Sequence, residues 1–518
     1  MPHLISEATE ENLCAGATLP APNVSKDHSM PWTRSFDRAN FVFIFALCGS
    51  IGIWFLSIKS AFWLDETISY WEISGGLREI WARQDVSFPA YFYILWATKA
   101  LFGSSEVVLR IPSVLAMLAA AYVAYRIARE LFSRDVAAIV TVIFCLHPIV
   151  AFEAVDARPY AFAVLLLNCA ILSFLRWMKT NSTRYAILFG VSAAGIFYFH
   201  YLFAVILPAF ALGCIVLRGK QWRLYVSGLV AASVPFLLIM LPVISPLLFL
   251  FRTSQTQVYE SAPQLSDLVS TLAAGHVVAL LFAGTVFTAA MLRQLENPSE
   301  EFLRTGLLCL LLAAVPLIFL YDVSALTSVH VFVARYRLVA VPGVALCWGF
   351  LVSCLASKGI RVGFCAALAA ITFSGFSLAT LSMDSAHGYS WKYALQVADK
   401  SAAFDHAPLL ICSDLTESNF QAMPADVYKA TSPAFAPIFY YKVHSPVVPL
   451  PRALNGVAEE QINKFLATAT PARQRFFALG YKASEETLSW ITERTKDSYV
   501  ARNLGKTDGV TVMEYAPR

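Results

Sequence analysis

The sequence predicts a polytopic all-α membrane protein of about eleven transmembrane helices with external interfacial helices, carrying a small α/β extracytoplasmic domain at its C-terminal end. Three observations predict this. The chain of 518 residues is 58% hydrophobic and only 14% charged, against roughly 25% charged residues in soluble proteins. Apolar runs long enough to cross a bilayer recur from residue 41 to residue 381. After that the pattern changes to short β-rich runs alternating with amphipathic stretches. Mean hydropathy is +0.60. The strand alternation of an outer-membrane barrel is absent.

Residues 1–36 are polar, without helical periodicity, and read as a disordered cytosolic tail. Basic linkers fall at Arg126 to Arg134, Arg176 to Arg184, Arg218 to Arg223, Arg293 to Arg304 and Lys358 to Arg361. The positive-inside rule places these linkers and the N-terminus in the cytosol. Alternation then puts residues 60–106, 152–158, the region near 200, 251–263, 321–336 and everything after about 382 outside. The spans that satisfy it are 40–59, 107–128, 136–152, 159–177, 185–199, 201–217, 224–250, 270–292, 303–321, 336–356 and 362–381. The apolar run 88–102 would be about 22 Å long as a helix, short of the roughly 30 Å hydrocarbon core. It reads as an interfacial or re-entrant helix on the outer face. The chain therefore divides into a tail (1–36), a transmembrane part (37–383) and an extracytoplasmic domain (384–518). In the last of these, PLLICS 408–413, PIFYY 437–441, RFFALGY 475–481 and VTVMEYA 510–516 read as strands, and 484–499 as a helix with Glu485 and Glu486 in its first turn.

Eight of the ten cysteines lie in expected spans, and no CxxC pair or zinc pattern exists. No Gly-rich phosphate loop is present in the C-terminal domain, and no nucleic-acid partner is expected.

Candidate functional residues are polar groups where apolar ones belong, all at external helix ends. Asp65-Glu66 follows the first span in LDETISYW, two adjacent acids set against Phe62, Trp63 and Leu64. Acids beside a membrane span are costly unless they serve a site. Asp85 opens the interfacial helix. EAVDARPYAF, 153–162, puts Glu153, Asp156, Arg158 and Tyr160 between two spans. VFVARYRLVAVP, 331–342, puts Arg335 and Arg337 just before another. His200-Tyr201 is a polar pair in an apolar corner. External arginines run against the positive-inside bias, although a lone arginine at a helix end commonly snorkels to headgroups, and a lone buried histidine commonly packs as a satisfied core residue. Guanidinium groups bind phosphate bidentately, and a carboxylate accepts a hydroxyl proton. Acids and arginines at one membrane face suit attack by an acceptor hydroxyl on a sugar whose leaving group is a lipid-anchored phosphate.

With these residues the chain resembles the membrane glycosyltransferases of the C superfold that use polyprenyl-phosphate sugars. Similar branches are the aminoarabinose and rhizobial galacturonosyl transferases of lipid A and lipopolysaccharide, and the protein O-mannosyltransferases. The resemblance rests on Asp65-Glu66, on the segment Asp85 to Tyr93, on Arg110 to Ser113, on Asp156 to Tyr160 and on Arg335 to Pro342, in that order. Two departures stand out: Ser87-Phe88 replaces the usual His-Pro, and Asp156 replaces the usual Glu.

The resemblance implies an inverting transferase of the cytoplasmic (inner) membrane, acting on its outer face, with the N-terminus cytosolic. Its donor would be a polyprenyl-phosphate monosaccharide, and its acceptor a glycolipid, lipopolysaccharide or protein. It implies Asp65 as general base, with Glu66 orienting it or the acceptor. Arg158 and Arg335, assisted by Tyr160, would hold the lipid phosphate. Asp85, Asp156, His200 and Tyr201 would shape the acceptor side. No cofactor is fixed by the sequence; the resemblance leaves a divalent metal open, and no metal ligand is assigned. The alternatives are a transporter or flippase of a lipid-linked sugar, with the same charges lining a path, or an inactive relative that only binds one.

Overall fold

The described residues of every expected span are mainly helical in the computed structural model, which describes residues 38–82, 90–218, 226–253, 263–273, 276–291, 299–380, 390–415, 418, 433–507 and 509–518. The first helix, α1 (Arg38–Trp54), ends in a 3₁₀ turn at Phe55–Ser57. Its last residue is fixed by the Trp54 indole, which donates to Cys145 O at 3.0 Å. Short helices α2 (Leu64–Glu72) and α3 (Leu77–Ala82) follow, then α4 (Ala90–Phe102). The 13 residues of α4 are too few to cross a bilayer, as its length in the sequence requires.

Next come α5 (Glu106–Leu131), α6 (Arg134–Leu146) and α7 (Pro148–Glu153). Ser105 caps α5 by accepting from Val108 N. The expected span 136–152 is two helices rather than one, because Pro148 starts a new helix and His147 caps it, its ring accepting from Ile149 N at 3.3 Å. The bundle continues through α8 (Tyr160–Thr180), α9 (Thr183–Ile196), α10 (Leu207–Arg218), α11 (Val226–Met240), α12 (Ile244–Thr253), α13 (Leu265–Leu272) and α14 (His276–Met291). It closes with α15 (Glu300–Leu326), α16 (Ala334–Arg337), α17 (Val341–Ser353) and α18 (Lys358–Thr380).

Among the described residues, seven helical runs are long and apolar enough to cross a membrane: Asn40–Ser57, α5, α8, Tyr201–Arg218, Val226–Leu248, α15 and Ala334–Ser353. This is an integral membrane protein. Its large outward side chains are apolar, for example Leu115, Leu237 and Leu280 at 61%, 62% and 74% exposed, as lipid demands. Close helix approach replaces the hydrophobic drive that lipid removes. A Cβ on Gly343 of α17 would lie 2.4 Å from the α15 backbone at Ala313 N, so glycine alone permits that crossing. Polar contacts add to it: Asn168 of α8 donates to Ala120 O of α5 at 2.9 Å.

The C-terminal domain begins with α19 (Lys392–Ala402) and contains α20 (Ala436–Tyr441), α21 (Gly456–Ala469) and α22 (Glu485–Thr495). Its strands are β1 (Leu409–Cys412), β2 (Val447–Leu450), β3 (Phe476–Tyr481), β4 (Tyr499–Thr507) and β5 (Val510–Pro517), in the order β2-β1-β3-β5-β4. The first three run parallel, with Leu409 opposite Val447 and Phe477; β5 and β4 are antiparallel, with Ala478 opposite Met513 and Arg502 opposite Glu514. Period-two alternation sends Leu409, Ile411, Phe477 and Leu479 to one core and Leu410, Cys412, Phe476 and Ala478 to another. The first core lies under α19 and the second includes Ile462 of α21 and Leu488 and Ile491 of α22.

One expected strand is a helix. PIFYY 437–441 forms most of α20, because Pro437 sits in its first turn, where proline suits a helix. Both tyrosines then face the membrane part. The Tyr440 ring packs on Phe62 at 4.8 Å and on Tyr70 at 4.8 Å. The Tyr441 hydroxyl donates to Phe62 O at 3.2 Å and that of Tyr440 to Ser104 O at 3.0 Å. Lys392 pairs with Glu106 at 2.8 Å. The domain is thus seated directly on α2, the helix that carries Asp65 and Glu66.

Candidate functional site

Asp65 lies in the first turn of α2, where an extended Trp63 turns the chain into the helix. Its carboxylate meets two arginines from distant segments. Oδ2 is 3.6 Å from Arg158 Nη2 and 3.7 Å from Arg335 Nη1. Charge-assisted bonds in this class run about 2.7–2.9 Å, so both contacts are loose. Arg158 is steered by its own tight turn, its backbone N–H donating to Asp156 O at 2.8 Å. Its Nη1 donates to Asp65 O at 3.2 Å and to Ser69 Oγ at 3.4 Å. The Arg335 guanidinium lies over the Trp63 ring at 5.7 Å and the Tyr336 ring at 5.4 Å. All three charged groups touch solvent, with side chains 14% (Asp65), 18% (Arg158) and 22% (Arg335) exposed.

Glu66 is in a different environment. Its carboxylate takes a two-pronged bond from Arg110, Nε to Oε1 at 2.7 Å and Nη2 to Oε2 at 2.6 Å, and both side chains are 0% exposed. Oε1 also accepts from Ala157 N at 3.0 Å, and Oε2 from Trp63 N at 3.4 Å. The rest of the Arg110 guanidinium donates to the carbonyls of Ser57, Ile58, Ser60 and Ala61. Glu66 is therefore engaged on every side in tying α2 to α5 and to the 154–158 turn. The sequence quotes Arg110 only as part of a motif; its fork onto Glu66 has no local signal.

The remaining expected residues divide. Tyr160, His200 and Tyr336 form an aromatic wall, with centroids 5.0 Å apart for Tyr160–His200 and for His200–Tyr336. Tyr201 stacks on His200 at 5.8 Å. Tyr160 also lies under Arg158, at 5.9 Å. Asp156 is buried and accepts from the Trp63 indole at 3.1 Å. Asp85 lies outside the described residues. Trp63, Ser69 and Tyr336 were not expected; only their neighbours in sequence were.

Electrostatics favours an anion here. Burial raises the Glu153 carboxyl against the pull of Arg335, and burial with the neighbouring acids Glu66 and Glu153 raises Asp156. Burial, with Arg158 and Arg335, pushes His200 down to about 3, so it stays neutral. Glu66 and Arg110 cancel. Two guanidiniums and one exposed carboxylate remain, a net positive surface. Among the described residues no group of three or more His, Cys, Asp or Glu side chains could hold a metal ion. The two guanidiniums beside Asp65 also repel a cation, so the described residues do not fit a divalent metal.

Arg337 corrects an expectation. It does point away from Asp65, but it does not snorkel: Nη1 donates to Asp267 O at 2.6 Å and to Thr271 Oγ1 at 2.8 Å, fastening α13 to α16. Arg337→Lys should therefore lower stability. Losing the second bond to a charged donor should cost about 1.5–3 kcal/mol, seen as a lower thermal midpoint in detergent with lipid-phosphate binding retained. An unchanged midpoint would return Arg337 to a surface role.

Comparison with known proteins bears on this site. Residues 86–249 match the family model of dolichyl-phosphate-mannose-protein mannosyltransferases. That stretch includes Arg110, Arg158 and Tyr160, starts after Asp65 and ends before Arg335. ArnT from Cupriavidus metallidurans, solved bound to undecaprenyl phosphate, is 13% identical, with 92% of this chain and 98% of that chain covered and a TM-score of 0.56. The chain therefore shares the fold of ArnT. Apo ArnT from the same organism gives 14% identity, the same coverage and a TM-score of 0.53. Comparison with curated proteins finds no match. On this fold, Asp65, Arg158 and Arg335 come together from three separate segments beneath the C-terminal domain.

Proposed function

We propose that the protein is an inverting glycosyltransferase that moves a monosaccharide from a polyprenyl-phosphate donor to an acceptor hydroxyl on the outer face of the cytoplasmic membrane. The observation that carries this reading is the loose sharing of one Asp65 oxygen by Arg158 and Arg335, at 3.6 and 3.7 Å. The acceptor O–H gives its proton to Asp65. Its oxygen attacks the anomeric carbon from the face opposite the phosphate, and the C–O bond to phosphate breaks with its electron pair going to the phosphate oxygen. Arg158 and Arg335 take that charge. Tyr160, His200 and Tyr336 offer a neutral aromatic wall for the sugar. Glu66 and Arg110 act through position, holding α2 against α5. The family match and the fold likeness to a protein solved with undecaprenyl phosphate support a lipid-phosphate donor. The acceptor class stays broad: glycolipid, lipopolysaccharide or protein.

The deciding experiment is transfer from a radiolabelled polyprenyl-phosphate sugar by the full chain in nanodiscs, with release of polyprenyl phosphate. Arg335→Lys should weaken polyprenyl-phosphate binding about tenfold, because lysine replaces a planar fork by a point charge. Unchanged binding would remove Arg335 from the phosphate site. Flip of the lipid without transfer would favour the transporter reading. For orientation, reporter fusions after Arg129 and Gly388 should read cytoplasmic and external; a cytoplasmic signal from the second would invert the site's side.

A further inference from the structure

One cavity among the described residues lies outside this site. It occupies about 510 Å³ between α19 and the segment 441–445 of the C-terminal domain, within the size range of small-ligand clefts. Two lysines, Lys400 and Lys442, and two imidazoles, His406 and His444, line it. Its one acid, Asp399, is already engaged. Asp399 accepts from His444 N at 3.1 Å and Ser445 N at 2.9 Å, and lies 3.0 Å from His444 Nδ1. The nearby Asp405 is held by Arg475 at 2.9 Å. Lys400 and Lys442 against the one acid leave the lining net positive.

Its neighbours include apolar side chains at the tip of α4. Lys442 follows directly on Tyr440 and Tyr441, which are bonded to Ser104 O and Phe62 O. Ser104 lies two residues beyond the tip of α4, where Leu101 and Phe102 are 73% and 72% exposed. Apolar side chains this exposed at the end of a membrane-surface helix face lipid. A second exposed aromatic, Phe404 at 96%, sits on the turn beside Lys400 and His406. The basic cavity thus stands next to side chains suited to the headgroup–acyl boundary.

We propose that this cleft binds the phosphate-bearing headgroup of an anionic lipid from the leaflet beneath the C-terminal domain. The lysines and imidazoles take the phosphate, while Leu101 and Phe102 lie along the acyl chains. Such a lipid would be held apart from the Asp65 site, with Tyr441 as the wall between them.

The test is native mass spectrometry of the full chain released from nanodiscs of phosphatidylcholine and phosphatidylglycerol. The parent should retain phosphatidylglycerol selectively. Lys400→Gln and Lys442→Asn should lower that retention about fivefold for each lysine removed; asparagine is chosen because Lys442 has φ +52°, which asparagine tolerates. Lys464→Gln, elsewhere on the domain, should change nothing, and Arg335→Lys should leave this lipid class bound. Equal retention in the lysine variants overturns the proposal. So does displacement of the lipid by millimolar inorganic phosphate, which would make the cleft a free-anion site.

Discussion

Asp65→Asn is expected to lower transfer by a factor of about 10²–10⁴ and, at the same time, to bind polyprenyl phosphate more tightly than the parent. The first effect follows from removing the proton acceptor. The second follows from the ligand-free geometry. The Asp65 carboxylate occupies the guanidinium groups that the donor phosphate needs, at 3.6 and 3.7 Å. An amide carries no charge to compete, so both arginines become available to the lipid. Initial rates and lipid binding would be measured on one nanodisc preparation. Full activity removes Asp65 from the chemistry. Weaker lipid binding with lost activity means that Asp65 supports the arginines rather than competing with the phosphate.

Glu66→Gln is expected to fail at the level of folding, although the resemblance implies only an orienting role for Glu66. Glu66 and Arg110 are both 0% exposed, and breaking such a pair by removing one charge costs about 3–5 kcal/mol, because the other stays buried without a counter-charge. The glutamine amide would also turn donors toward a guanidinium that has only donors to offer. The thermal midpoint should fall steeply, and the yield of monodisperse protein with it. Replacing both partners by Leu and Met should recover part of the loss. Recovery is only partial because Arg110 also serves the carbonyls of Ser57, Ile58, Ser60 and Ala61, which would then be buried without a donor. A Glu66→Gln protein as stable as the parent but inactive would move Glu66 into the chemistry.

The membrane helices and their order were legible in the sequence because the bilayer acts on each segment locally. A run of apolar residues must become a helix to satisfy its own backbone, whatever its neighbours are. The short length of α4 and the β1, β3 and β5 runs were legible for similar reasons. The trio of Asp65, Arg158 and Arg335 was also within reach, since charge at the end of an apolar helix is anomalous one residue at a time.

Pairing was not legible. Glu66 looks like its neighbour in sequence, yet one turns to water and the other to Arg110, 44 residues away. Arg335 and Arg337 look alike, yet one reaches Asp65 and the other fastens Thr271 of α13. PIFYY has the composition of a strand and folds as α20, because its rings find Phe62 and Tyr70. Local propensity differs by about 1 kcal/mol between such outcomes. A buried ion pair, or aromatic surface closed against another domain, is worth several times that and depends on groups far away in the chain. The sequence by itself therefore determined the membrane class and the helices. Which acid stays free and which is locked was decided only by the tertiary structure.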